Sequence, residues 1–378
     1  MTVGPTSGHR SGPRRLVLGI ETSCDETAAS VVEDSRRVRS NIIASQHDLH
    51  AEYRGVVPEI ASRAHAERIT PVVRGALEAA GVSLTEIELI AVGNRPGLIG
   101  SLLVGVAAAK GLALSLGIPF IAVDHVHAHL YAGLLGRDCD PAPLRPVEEL
   151  FPALGLVISG GHTSLYLCQS PTRCTRIAGT IDDAIGEAYD KVAAILGLPF
   201  PGGPSLDRLA AAHAAAALEP DRDGFPIARI APDSLDFSFS GLKTAALYAY
   251  RGVPESRRVK DKRLARGEPD PVTRPAAQVA ATFQRAAVAT IVLKLGRALE
   301  RYPHCRALLV GGGVSANSLL RSELERLAAE RRLPVVLPAL EYCLDNAAMI
   351  AGLGSALWLE RDRIGDPWST GAVPTTGS

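Results

Sequence analysis

Two histidines stand four residues apart in the segment Asp124-His125-Val126-His127-Ala128-His129. On a helix, residues at i and i+4 share one face, whereas the middle histidine at i+2 points elsewhere. This spacing allows two imidazoles to bind one metal ion, although such pairs also occur in ordinary polar clusters. An HExxH motif is absent, so the usual pattern of a metallopeptidase is missing.

A third ligand would complete such a metal site, and Asp345 is the candidate. It lies in Tyr342-Cys343-Leu344-Asp345-Asn346, after the last predicted strand and where a helix is expected to begin. The same position suits a helix N-cap, and the sequence does not separate the two roles. Two histidines and one carboxylate leave open coordination positions, which is typical of catalytic metal sites.

Two glycine-rich turns could bring backbone N–H groups close to a phosphate. Ser159-Gly160-Gly161-His162-Thr163 lies between two predicted strands, and Gly311-Gly312-Gly313 leads to a helix that starts near Asn317. Each signal is weak alone because tight turns need glycine anyway. Neither turn has the P-loop or the GxGxxG pattern, which argues against a Walker or Rossmann nucleotide site.

A third group of polar residues is acidic. Asp183, Glu187 and Asp190 fall at i, i+4 and i+7, so we expect them on one helix face, either solvated or binding hydroxyls, amines or cations. The rigid turn at 201–204 follows, with Asp207 behind it.

The elements that must position these residues repeat. A strand at 16–20, a polar turn at 21–27 and a strand at 28–32 are matched by a strand at 153–158, a turn at 159–163 and a strand at 164–168. This recurrence predicts an internal duplication. Further strands are predicted at 88–93, 119–123, 307–310 and 334–337, and helices at 62–80, 184–196, 317–331 and 346–360. Alternating strands and helices indicate an α/β protein with helices on both faces of its sheets.

The predicted domain organisation has two lobes. Its parts are a disordered tail at 1–14, a lobe at 15–136, a linker at 137–150, a lobe at 151–360 with a helical insertion at about 184–300, and a tail at 361–378. The apolar run at 97–123 contains Lys110, several glycines and Pro119, so we expect a buried helix and strand there, with no membrane span. Six cysteines without a CxxC pair favour a reducing cytoplasm.

Charge limits the possible role in nucleic-acid binding. Lys and Arg number 40, as do Asp and Glu, so the formal net charge is zero. A chain that bound nucleic acid alone would usually be basic, and tRNA binding would therefore depend on a local patch or on partners. The basic stretch at 251–275 is either a solvated loop or a contact for an RNA backbone.

Eight stretches, in order, resemble the TsaD family of bacterial tRNA adenosine threonylcarbamoyltransferases. They are GIETSCDETAAS, HVHAH, ISGGHTSL, DDAIGEAYDKVA, FPGGPSLDRLA, FSFSGLKTA, GGGVSANSLLR and CLDNAAMIA, and the resemblance extends over about 16–359. The resemblance implies the actin-like ATPase (ASKHA) fold, with two related lobes of mixed sheets flanked by helices around a central cleft. The implied reaction transfers a threonylcarbamoyl group from threonylcarbamoyl-AMP to the N6 amine of the adenosine beside the anticodon, in tRNAs that read codons beginning with adenine, and releases AMP. The implied protein partners are a TsaB-like paralogue and a TsaE-like ATPase.

The resemblance also implies roles for particular residues. One divalent ion, iron or zinc, would be bound by His125, His129 and Asp345. The threonylcarbamoyl-adenylate would contact Val157, Ile158, Ser159, Gly160, Gly161, Asp190, Gly203, Asp207 and Asn317. Asp25 is the position tied to activity, and we hypothesise that it orients the acceptor amine or takes its proton.

Three alternatives to this function are weighed. The first is an ATPase or sugar kinase of the same fold, which would not need the histidine pair. The second is a metallopeptidase, against which the missing HExxH motif argues. The third is a scaffold without catalytic activity, which is less consistent with an intact set of histidines and carboxylates.

Overall fold

Two five-stranded mixed sheets form the framework of the protein. The computed structural model describes residues 14–53, 55–137, 144–215, 224–227, 230–231, 233–253, 273–360 and 367–374. Most of the predicted tails at 1–14 and 361–378, part of the linker at 137–150, and the basic residues 254–272 lie outside the described residues. The predicted lobe boundaries stay a prediction.

The first sheet has the strand order β3-β2-β1-β4-β5. Its strands are β1 (Leu16–Glu21), β2 (Glu26–Glu33), β3 (Arg37–Ser45), β4 (Leu89–Arg95) and β5 (Phe120–Asp124). The hairpin β1–β2 and the pair β2–β3 are antiparallel, whereas β4 runs parallel to β1 and to β5. The strands β1 and β2 are buried along their whole length, which agrees with the apolar runs at 16–18 and 28–32, interrupted in β2 only by Ser30.

The second sheet has the order β10-β9-β6-β7-β8. Its strands are β6 (Ala153–Ile158), β7 (Thr163–Ser170), β8 (Arg173–Gly179), β9 (Ala307–Gly311) and β10 (Val335–Val336). A central hairpin with a parallel neighbour on its other side repeats the arrangement of the first sheet. The duplication that the two sequence hairpins predicted is therefore confirmed.

Helices connect and cover these sheets. They are α1 (His47–His50), α2 (Pro58–Ala80), α3 (Ile99–Leu116), α4 (His125–Ala132), α5 (Ile185–Ile195), α6 (Gly202–Ala215), α7 (Ser240–Arg251), α8 (Ala276–Arg301), α9 (Ser318–Arg331) and α10 (Ala347–Leu359). The helix α4 packs against both β6 and β9, and α10 packs against α4 and against β1. One hydrophobic cluster therefore joins the inner faces of the two sheets through α4 and α10.

Two helices are long and apolar enough to span a membrane by length and composition alone, namely α3 and α8. Most of the apolar window of α8 is buried inside the protein. The helix α3 packs Leu102, Val106 and Ala109 against the first sheet, but Leu103 and Leu114 are exposed. The prediction of a fully buried helix is thus wrong for one face of α3, because only its inner face has a sheet to pack against.

Candidate metal centre

The two predicted histidine ligands and the predicted carboxylate ligand meet at one point. Asp345 Oδ1 lies 3.5 Å from His125 Nε2 and 3.2 Å from His129 Nε2. The two imidazole rings stand edge to face with their centroids 4.7 Å apart. One atom from each residue lies within 4.8 Å of the others, so the group can hold a metal ion. His127 instead stacks edge-on against Tyr166, as its i+2 position predicts.

Local caps explain how these side chains are presented. The helix α4 begins directly after β5, where Asp124 accepts hydrogen bonds from the backbone N–H groups of Val126 and His127. On the other side, Asn346 caps α10 by accepting from Met349 N. The cap of α10 is therefore Asn346 and not Asp345, which leaves the carboxylate of Asp345 free for the histidines.

A carboxylate that the sequence reading missed supports the first histidine. Glu21 ends β1, and its Oε2 lies 3.1 Å from His125 Nδ1. With Nδ1 held in this way, His125 Nε2 is left to face Asp345, and metal-binding histidines usually have their other ring nitrogen held by a carboxylate or carbonyl in the same manner. Gly93 of β4 makes room for Glu21, because a Cβ there would lie 2.5 Å from Glu21 Oε2. The signal in the sequence was a glutamate at the end of a buried strand.

The electrostatics of the three ligand residues fit a cation. Burial opposes charge on His125, but the carboxylates of Asp345 and Glu21 raise its pKa well above the ordinary value. Burial likewise opposes charge on Asp345, yet the positive charge of His125 holds its pKa well below the ordinary value. Within the described part of the chain, neither buried ring nitrogen of His129 makes a hydrogen bond of normal geometry, although Nε2 lies 3.2 Å from Asp345 Oδ1. A buried imidazole nitrogen that faces a carboxylate without a well-formed hydrogen bond fits the role of a metal ligand.

The glycine-rich turn after β9 is packed against this centre. A Cβ on Gly311 would overlap the carbonyl oxygen of His129, and Gly312, at φ +94°, would overlap that of Ile158. These two glycines are therefore required by backbone packing, whatever ligand the turn binds.

The turn between β6 and β7 lies on the same side of the second sheet. Ser159 N donates to the carbonyl of His162, and α5 begins with Gly186 N donating to Ser159 O. Burial, followed by the nearby charges of His125 and His129, lowers the pKa of His162 to about 4, so this ring is neutral. Gly160 and Gly161 have open space around them. Val157 and Ile158 are fully buried, so neither residue exposes its side chain to a ligand.

Two of the predicted ligand-binding residues are joined at the start of α6. Asp190 Oδ1 accepts a hydrogen bond of 2.7 Å from Gly202 N, next to Gly203. Burial raises the pKa of Asp190, and N–H groups of Gly202 and Gly203 partly offset this effect. Asp183 is not part of the helix, because α5 starts at Ile185, but Asp183 and Glu187 still lie together, since both pair with Lys191.

The other two, Asp207 and Asn317, are bridged by Gln284 of α8. Gln284 Nε2 donates to Asp207 Oδ1 at 2.9 Å, and its Oε1 accepts from Asn317 Nδ2 at 3.2 Å. Asp207 also accepts from the backbone and side chain of Ser318, and Asn317 caps α9 through Leu320 N. Gln284 is buried and was missed because no local pattern marks a contact 77 residues away.

The predicted catalytic residue Asp25 lies in the turn between β1 and β2. It belongs to a second group of potential ligands together with Glu26 and His47. His47 Nε2 lies 3.6 Å from Asp25 Oδ2 and 3.3 Å from Glu26 Oε1. No local pattern connects His47, at the start of α1, with this turn.

The sequence is similar to one family over most of its length. A family model described as TsaD: tRNA N6-adenosine threonylcarbamoyltransferase matches residues 37–352. A protein of that name from Chlamydia trachomatis is 46% identical over 349 residues, covering 92% of this chain and 95% of the relative. Another from Trichlorobacter lovleyi is 47% identical over 344 residues, covering 90% and 91%.

The fold is similar to that of solved structures with little sequence identity. HypF from T. kodakarensis superposes with a TM-score of 0.55 at 14% identity, over 92% of this chain and 48% of HypF. Full-length HypF in a phosphate- and nucleotide-bound form gives a TM-score of 0.54, over 94% and 47%. These likenesses and the two matching mixed sheets confirm the predicted actin-like (ASKHA) fold.

Proposed function

The chain belongs to the TsaD family of tRNA N6-adenosine threonylcarbamoyltransferases, and on this basis we propose that it moves a threonylcarbamoyl group from threonylcarbamoyl-AMP to the exocyclic amine of the adenosine beside the anticodon. It is thus a transferase that acts in tRNA modification. AMP is the proposed second product, and the proposed acceptors are tRNAs that read codons beginning with adenine.

The convergence of His125, His129 and Asp345 is the observation that carries this proposal. A kinase or ATPase of the same fold would not need two buried imidazoles beside a carboxylate, and Glu21 adds the orienting partner that a metal-binding histidine requires. We propose one divalent ion, iron or zinc, at this position. When bound, such an ion supplies Lewis-acid polarisation of a carbonyl and a fixed positive charge for substrate oxygens.

The residues of the chain then hold the adenylate and orient the acceptor. The N–H groups of the turn at Ser159–Gly161, with the backbone of Val157 and Ile158, stabilise the charge of the adenylate. Asp190 with Gly203, and Asp207 with Asn317, complete its binding site in the cleft between the proposed lobes 15–136 and 151–360. The adenine amine is a weak nucleophile, so most of the rate gain comes from holding it against the carbamoyl carbon.

The proposed partners follow from the same family. They are tRNA, threonylcarbamoyl-AMP made by a separate enzyme, a TsaB-like paralogue and a TsaE-like ATPase, all in the cytoplasm. A formal net charge of zero agrees with tRNA binding that is shared across an assembly.

Mass spectrometry of tRNA nucleosides tests the proposal. Depletion of the protein should remove N6-threonylcarbamoyl-adenosine, and the wild-type gene should restore it. His129→Ala should not restore it, whereas His127→Gln, on the same helix but facing Tyr166, should. Normal levels of the modified nucleoside after depletion would refute the proposal.

A further inference from the structure

Asp25, Glu26 and His47 form a buried polar group that the proposed metal centre does not use. Backbone pairing fixes their positions, since Gln46 N donates to Asp25 O and Glu26 lies opposite Ser45 across β2 and β3. Asp25 and Glu26 are each only 8% exposed, whereas the side chain of His47 is 38% exposed. His47 is therefore the member of the group that solvent and ligands can reach.

Two buried carboxylates in this group share a single histidine as their cationic partner. In the part of the chain that the structure describes, His47 is the only cationic side chain paired with either carboxylate. Burial raises the pKa of Glu26 to about 7, against the hydrogen bond from His47, and the charges of Asp345 and Asp25 add to the rise. The hydrogen bond with Glu26 is the main reason that the pKa of His47 is raised, and the charges of Asp25 and Asp48 act in the same direction. Glu26 thus gains and loses a proton near neutrality, as a general base should.

The pair also lies near two parts of the proposed site, namely the metal centre and the turn that carries Gly203. On one side, the carboxylate of Asp345 is close enough to influence Glu26. On the other side, the ring of His47 stands edge-on to Phe200, with centroids 6.4 Å apart, and Phe200 precedes the turn that carries Gly203. The Glu26–His47 pair therefore sits between the metal centre and the start of α6.

We propose that the Glu26–His47 pair accepts the proton that the adenosine amine loses during acyl transfer. The inference rests on the proposed function. In that step the amine nitrogen forms a bond to the carbamoyl carbon, the bond from this carbon to the phosphate oxygen breaks, and its electron pair leaves with AMP. The amine must then lose one proton, which passes to Glu26 directly or through the imidazole of His47.

Neighbouring groups serve this role less well. His125 and His129 each direct Nε2 at Asp345, and a bound cation would occupy these two nitrogen atoms. Burial raises the pKa of the Cys24 thiol far above neutrality, so it stays protonated. Asp25 also lies beside the imidazole of His47, where its carboxylate can orient the ring.

A pH profile of single-turnover transfer tests the pair. The wild-type protein with its partners is supplied with threonylcarbamoyl-AMP and unmodified tRNA, and the rate should rise with pH through about 7. Glu26→Gln should lower the rate by about 100-fold and abolish this rise. His47→Gln should move the rise to higher pH, because His47 lowers the pKa of Glu26. His127→Gln is the control and should change neither the rate nor the profile.

Metal content and thermal midpoint check that each variant is folded. If Glu26→Gln does not fold, His47→Gln decides, since its side chain is partly exposed. If the wild-type protein transfers the group and His47→Gln shows the same pH profile, the proposed role of the Glu26–His47 pair is wrong. The proposed function would be unaffected by that result. Failure of the wild-type protein to transfer at all would instead count against the proposed function.

Discussion

The turn between β1 and β2 and the turn between β6 and β7 hold the same place in two sheets of the same topology, yet they present different chemistry. The first carries the buried carboxylates of Glu21, Asp25 and Glu26. The second carries Gly160 and Gly161, which have open space around them and offer only backbone groups. Two equivalent turns of a duplicated framework thus carry side-chain chemistry in one case and backbone chemistry in the other.

The largest effect is expected where the second sheet meets the helix of the metal centre. Gly311→Ala should destabilise the protein by about 3 kcal/mol, because its Cβ would overlap the backbone of His129 and neither backbone can move easily. Urea denaturation measures the change. Gly160→Ala is the matched control and should shift the free energy of unfolding by less than about 0.5 kcal/mol. Equal losses of unfolding free energy in both variants would contradict the contrast between Gly311, which packs against a backbone, and Gly160, which has open space around it.

The side-chain role of the first turn is tested by Glu21→Gln. Without this carboxylate, His125 Nδ1 loses its charged partner, and metal affinity should fall by about 10- to 100-fold. Competition with a chelator measures the affinity. Glu88→Gln, which changes an exposed glutamate just before β4, should leave it unaltered. An unaltered affinity in Glu21→Gln would mean that the first turn does not support the centre.

The predicted adenylate-binding residues Asp207 and Asn317 are tested through Gln284, which we regard as a positioning residue. Gln284→Leu removes the link between Asp207 and Asn317, and the KM for the adenylate should rise about tenfold while kcat changes less. Thr290→Val, which loses only a hydrogen bond to its own helix, is the control. If kcat falls and KM does not, Gln284 acts on the reaction step and not on binding.

The smallest effect is expected from Gly160→Ala in the transfer assay. A methyl group on this open turn would obstruct an adenylate held by backbone N–H groups, so the KM should rise a few-fold with normal stability. The wild-type KM in this variant would remove the turn from the substrate site.

Much of this framework could be read from the sequence. The two hairpins predicted the duplicated sheets, and Gly81 does end α2 in the left-handed conformation. The spacing of His125 and His129 placed both on one face of α4, since helix periodicity is a local property.

Contacts between distant segments could not be predicted in this way. Gln284 and His47 gain their importance from neighbours brought together by packing, and no residue near them in the sequence records that contact. The exposed face of α3 was missed for a related reason, because a uniformly apolar helix does not show which side lacks a covering layer. Asp183 precedes α5, yet the predicted spacing still brings it beside Glu187, since both carboxylates pair with Lys191.

The most direct test measures bound metal and transfer activity in the same preparations of wild-type protein, His129→Ala, Asp345→Asn and His127→Gln. We predict that wild type and His127→Gln contain about one divalent ion per chain and transfer the threonylcarbamoyl group. His129→Ala and Asp345→Asn should lose the ion and at least about 100-fold in rate together. Full transfer by a folded His129→Ala protein without bound metal would contradict the account.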